Sequence, residues 1–388
     1  MKLNLPKFYL GQVVKRFFRF LRSPFNSTSN NFKIACLAKP DSQIKLNELM
    51  IRLKFFWPDI KSEQVKLISG LPCKELLTGV VLLLDQELVS KKWIRTFDNI
   101  FNVDFEKNAV DGWQMCAIAE YIAGLPRTTR VHEAKDRFLA FIQRIKIEKH
   151  AKTYVFGTGL SLDHAGNHDF NDGYRVVCNT IVRDPILWHH LKPHIFVAGD
   201  AIYHFGFTEF ACAFRSDLRE RLRESDGSVL FVYPALFDAI VQREFSEFSN
   251  ILVPIPFGAH DYVEVNLCED FALPALGNVL NNLLLPVACT LTKSVYLWGF
   301  DGRAPTDKLF WSNSNKHSYP ELMPHLIKAH PAFYETLVPK NNESNYVKAV
   351  HGDELERRLQ RAELHGYEFV MMHKSWTETL QRRFHVDK

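Results

Sequence analysis

Apolar residues in this chain fall into short runs separated by turn residues, and the runs become regular in the second half. Residues 153–156, 175–178, 194–198, 229–232, 251–254 and 294–297 are near-continuous apolar stretches, several followed by segments with helical spacing. Runs of that length bounded by Gly, Asn and Asp read as strands buried on both faces, and their alternation with helices implies a mainly parallel sheet. Upstream, a weaker version of the same pattern predicts strands at 32–37 and 78–84 and helices at 46–56, 112–123 and 132–147. The tail holds a helical pattern over 353–365, an apolar run at 367–372 and a basic end.

These patterns predict an α/β protein with two Rossmann-like units. The expected divisions are a basic segment and linker at 1–31, an N-terminal α/β unit at 32–152, a larger Rossmann-like unit at 153–340 and a C-terminal helical segment at 341–388. The polar stretch from Ser23 to Asn31 supplies the linker.

Composition narrows the class. With 46% hydrophobic and 24% charged residues the 388-residue chain has a globular balance, and its net charge of +4 is too small for a nucleic-acid binder. The seven cysteines are odd in number, widely spaced and include no CxxC pair, so reduced thiols in the cytoplasm are expected, and neither a disulfide framework nor a structural zinc site. No apolar run approaches the roughly 20 residues that span a bilayer. Residues 1–22 carry six Lys and Arg and no acid, interleaved with aromatic and aliphatic side chains. Such a segment either lies on an anionic membrane surface or packs on its own protein as a helix.

In parallel sheets ligands bind beyond the carboxyl ends of the strands, so the residues just past each run carry the candidate chemistry. The first run of the regular half ends in Gly157-Thr158-Gly159, with Ser161 close behind. Glycines there permit close backbone approach, and free N–H groups in such a turn cradle an anion. A dinucleotide fingerprint needs a further Gly or Ala where Leu162 stands, and an acid where the next run instead ends in Asn179-Thr180. Asn179 either reads a base or ribose edge or caps a turn. Asp200, after Gly199, is a nucleophile, base or metal ligand on one reading and a helix cap on the other. His260 follows the fifth run. Gly277-Asn278 opens an apolar helix whose N-terminus suits a phosphate. The last run delivers Gly299 and Asp301, and His317, His325 and His330 follow without the spacing of a zinc site.

Taken in order, Val155 to Ser161, Val177 to Asn179, Val197 to Asp200, Gly277-Asn278 and Val295 to Asp301 resemble the bacterial CMP-sialic acid-dependent sialyltransferases, and most of all the retaining β-Kdo glycosyltransferases (glycosyltransferase family 99). The resemblance runs from about Thr153 to Pro339. It implies two Rossmann-like subdomains facing a cleft, a variant of the GT-B-like arrangement, and a CMP-β-Kdo donor with no metal or other cofactor. The implied acceptor is a glycan or lipid-linked glycan of lipopolysaccharide O-antigen or capsule, which gives the basic N-terminus a place on the inner membrane. Carried over residue by residue, the resemblance puts Gly157, Thr158, Gly159, Ser161, Asn179, Thr180, His260, Gly277, Asn278 and Gly299 around the nucleotide sugar. It makes Asp200 the nucleophile, with Asp301 in support and His317 or His330 as the histidine that moves a proton. Thr158 and Leu160 depart from the Gly-Asn-Gly-Pro-Ser turn of sialyltransferases, which favours Kdo over sialic acid. A pterin pyrophosphokinase-like or methyltransferase-like enzyme and a non-catalytic scaffold are the competing classes.

Overall fold

The computed structural model describes residues 34–37, 43–68, 76, 79–85, 97, 99–123, 127–304, 313–337 and 352–385. The basic segment and linker expected at 1–31 lie outside these residues. The chain divides into two compact units, Met1–Leu125 with Ala329–Tyr334, and Pro126–Lys328 with Glu335–Lys388.

The first unit is built on a four-stranded parallel sheet in the order β2-β1-β3-β4, with β1 at Ile34–Leu37, β2 at Val65–Ile68, β3 at Val80–Leu83 and β4 at Ile100–Asn102. Every residue of β1 and β3 is buried, as the continuous apolar runs require. The half-exposed β2, with Lys66 in its middle, and the three-residue β4 lack that signature and were not anticipated. Helices α1 (Gln43–Phe56) and α2 (Asp111–Ala123) pack on one another.

The second unit is a seven-stranded, wholly parallel sheet in the order β11-β10-β5-β6-β7-β8-β9. Its strands are β5 (Lys152–Phe156), β6 (Tyr174–Cys178), β7 (Ile195–Val197), β8 (Leu230–Pro234), β9 (Leu252–Ile255), β10 (Ser294–Trp298) and β11 (Glu368–Met371). The fold is therefore α/β with two Rossmann-like sheets, as the patterning predicts. Pro254 is tolerated because β9 is an edge strand that pairs only with β8.

Two divisions differ from expectation. The helix α3 (Arg127–Ile145) belongs to the second unit: it buries Ala134, Phe138, Phe141, Ile142 and Ile145 and packs against β9. A boundary at 152 separates that helix from the strand it covers, more than a hundred residues downstream. The C-terminal residues are not a separate segment either. β11 pairs in parallel with β10, Ser294 opposite Glu368, and completes the sheet, while α4 (Asp353–Leu364) packs on β11. Among the described residues no helix is long and apolar enough to cross a membrane.

Candidate functional site

From β5 the strands step outward in one direction to β9, and the chain then returns to lay β10 on the other side of β5. The point where strand order reverses, between β5 and β10, is where open α/β sheets form a ligand crevice.

The two strand exits at this point are laced together. Gly157 N–H donates to Trp298 O at 2.7 Å and Gly159 N–H to Gly299 O at 2.9 Å. A Cβ on Gly157 would lie 2.6 Å from Gly299 O, and one on Gly299, where φ is +80°, would lie 2.2 Å from Gly157 O. The glycines are thus required by the approach of two backbones. This corrects the expectation of free amides for an anion: the N–H groups of Gly157 and Gly159 hold β10, and that of Ser161 holds Asp301.

Asp301 accepts from Ser161 N–H at 3.1 and 3.2 Å, and its Oδ2 also accepts from Ser161 Oγ at 2.8 Å. A Cβ on Gly159 would sit 2.0 Å from the same Oδ2. Ser161 Oγ is also 2.7 Å from His373 Nε2, so its one proton serves two acceptors. His373 Nε2 takes the Gly299 N–H at 2.9 Å while Nδ1 donates to Lys374 O at 2.8 Å, which suits a neutral ring. Burial lowers the pKa of His373 in the same sense. Trp298 Nε1 donates to Ser161 O at 2.9 Å and closes the knot.

A small cavity of about 60 Å³ opens beside this knot. Gly157 and Thr158 line it from β5, Cys178 and Asn179 from β6, and Gly299 to Gly302 from β10. Asn278, Val279 and Leu280 also line it. Asn179 and Asn278 both adopt left-handed backbone, φ +52° and +60°, a conformation Asn accepts better than other side chains. Asn179 Oδ1 is buried without a hydrogen-bond partner. Asn278 Oδ1 accepts Asn281 N–H at 2.9 Å, so Asn278 starts the helix there. That helix opens with a π turn, Leu280–Leu284, and continues as Leu285–Leu291. Pro286 explains the wide turn, since it lacks an N–H and its ring crowds the carbonyl four residues back. Among the described residues lining the cavity none is Lys, Arg or His.

Other predicted residues lie elsewhere. Asp200 does not line the cavity; its Oδ1 accepts Ile202 N–H at 2.7 Å and Tyr203 N–H at 2.8 Å, which is a turn cap. Its own N–H donates to Nδ1 of His204, a histidine that burial, with Arg215 adding, drives down to about 3. His317 is buried, with Nε2 3.2 Å from Asp184 and Nδ1 3.5 Å from Asp163, and burial lowers its pKa. It pins its loop, and Thr180 Oγ1 donates to its carbonyl. Thr158 Oγ1 donates to Asn313 at 3.0 Å. Gly277 is exposed just ahead of Asn278, and His260 pairs with Asp270 at 2.9 Å; neither lines the cavity. His330 belongs to the first unit, where Asp111 accepts from it at 3.1 Å and from Arg52 at 2.8 Å.

His373, Thr377 and Leu380 were not anticipated. The strand-end rule finds His373, since it closely follows the 367–372 run, once that run is counted in the sheet. Together, the strand order and the cavity give a Rossmann-like α/β protein with a candidate crevice at its switch point. No protein-family model, curated protein or solved structure matches the chain.

Proposed function

We propose that the chain is a glycosyltransferase that takes Kdo from CMP-β-Kdo and transfers it, with retention, to a sugar of a bacterial lipopolysaccharide O-antigen or capsule. The observation that carries this reading is the switch-point cavity. Motifs from β5, β6, β10 and the Asn278 helix, whose order resembles the β-Kdo transferases, converge on one wall-to-wall space.

The lining favours one phosphate over several. A helix N-terminus offers amides and a positive dipole end to a single phosphate, whereas ATP sites add Lys, Arg or a metal for the polyphosphate. That speaks against the pyrophosphokinase-like class. From the nucleotide, the sugar extends toward β7. Two strand spacings separate β7 from β5, about 10 Å, and Gly199 abuts Leu283 of the helix that forms the cavity wall.

Retention needs two displacements and a protein nucleophile. In the first, an Asp200 oxygen bonds to the anomeric carbon as the bond from that carbon to the phosphate oxygen breaks and CMP leaves. In the second, an acceptor oxygen bonds to the anomeric carbon as the bond from that carbon to Asp200 breaks, and the hydroxyl proton passes to solvent water. The amides of Ile202 and Tyr203 orient the carboxylate for the attack.

The test separates donor from nucleophile. CMP should raise the melting temperature, and ATP and S-adenosylmethionine should not; protection by either of those instead removes the donor class. Asp200→Asn keeps a cap but not a nucleophile, so it should fold normally and transfer nothing. Wild-type transfer by that variant removes Asp200 from the role.

A further inference from the structure

Asp301 is the acid on the described cavity wall, and its surroundings are unusual for a carboxylate. Its side chain is 21% exposed, and among the described residues no Lys or Arg lies within ion-pair distance. The nearest cationic candidate is His373 Nδ1, 4.0 Å away, and that nitrogen donates to Lys374 O. A carboxylate in a partly apolar recess is costly unless donors reach it. Ser161 supplies two donors in three contacts, one to Oδ1 and two to Oδ2, and a carboxylate offers about four acceptor positions, so acceptor capacity remains for a ligand.

Rossmann-type sites use an acid at a strand end beside the glycine turn to hold the two ribose hydroxyls. In this chain the strand that follows the turn, β6, ends in Asn179 instead. β10 flanks β5 on the opposite side, and its exit delivers Asp301 to the same cavity. The carboxylate is also held rigidly, by both donors of Ser161 and by Trp376 N–H on its backbone carbonyl at 2.6 Å. His373 fixes the turn through Gly299 N–H.

We infer that Asp301 accepts the ribose diol of the bound nucleotide, with Ser161 and His373 as positioning residues. This rests on the cavity being a nucleotide site, and it moves Asp301 from supporting the chemistry to choosing ribonucleotides over deoxyribonucleotides. The second partner for the ligand is Asn179 Oδ1, the buried acceptor without a donor.

Isothermal titration of the full chain with CMP, 2′-deoxy-CMP, 3′-deoxy-CMP, UMP and AMP tests this. Loss of a hydrogen bond to a charged group predicts each deoxy analogue to bind about tenfold or more weakly than CMP. Asp301→Asn, with its fold checked by melting temperature, should bring CMP and its deoxy analogues to within about twofold. Ser161→Ala, which frees the carboxylate to turn, should narrow the gap without closing it. Equal binding of CMP and its deoxy analogues by the wild type, or a gap that survives in folded Asp301→Asn, overturns the assignment while leaving the CMP reading intact. The same ribose dependence for AMP but no binding of CMP supports the assignment and overturns the CMP reading. Failure of every nucleotide to bind the folded protein overturns both.

Discussion

Asp200 and Asp301 stand at two exits of one sheet, one directly after Gly199 and the other two residues after Gly299, and the fold treats them differently. Asp200 caps its own turn, accepting the amides two and three residues on, and its N–H donates to His204. Asp301 reaches across to Ser161, 140 residues earlier, and so ties the exits of β5 and β10. Local capping shapes β7's exit, whereas cross-strand bonding makes β10's exit part of a cavity wall. Asp111 of the first unit shows a third outcome, a carboxylate closed off by Arg52 and His330. A cavity-facing acid without such a cation is the one that has work left for a ligand.

The sharpest way to break the contrast is Gly299→Ala. A Cβ at positive φ and 2.2 Å from Gly157 O should cost about 3 kcal/mol or more, read as a lowered urea midpoint. For the same reason Gly159→Val, with its Cβ 2.0 Å from Asp301 Oδ2, should disturb the fold itself and not merely ligand binding. Asp301→Ala leaves the two Ser161 donors without their acceptor and should cost about 2 kcal/mol.

Acid probes the other exit. His204 has a folded pKa near 3, below its unfolded value of about 6.5, so its neutral form is the one that folds. Stability from this group is complete above about pH 6.5 and falls as the pH drops toward 3, by about 2 to 3 kcal/mol at pH 4.5. Thermal melts between pH 7 and 4.5 should show the loss, and His204→Gln should flatten it; an unchanged slope would assign acid sensitivity to another group. Asp200→Ala should cost about 1 kcal/mol and Asp200→Asn only a few tenths, as expected for a cap.

The central strands were legible because they are buried on both faces: the run at 294–297 became Ser294–Trp298, and 175–178 became Tyr174–Cys178. Half-buried β2 and short β4 carry no comparable signal. The helix before β5 was visible as a helix, but its sheet was not, because it packs on β9 and no local pattern encodes that. At the site, the converging glycines, Asn179, Asn278 and Asp301 were readable from the strand-end rule. The partners of their amides were not, since the Gly157, Gly159 and Ser161 N–H groups bond to residues 140 or so positions away. His317 and His330 looked alike in sequence, yet one is wedged between Asp163 and Asp184 and the other joins the first unit's Asp111.

The proposal meets its most direct test in the intact mass of the full chain after rapid mixing with CMP-Kdo in the absence of acceptor. The wild type should release CMP and gain the mass of one Kdo residue, located by peptide mapping to Asp200, and Asp200→Asn should gain nothing. Folded wild-type protein that neither releases CMP nor gains mass, or that carries the adduct on another residue, would contradict it.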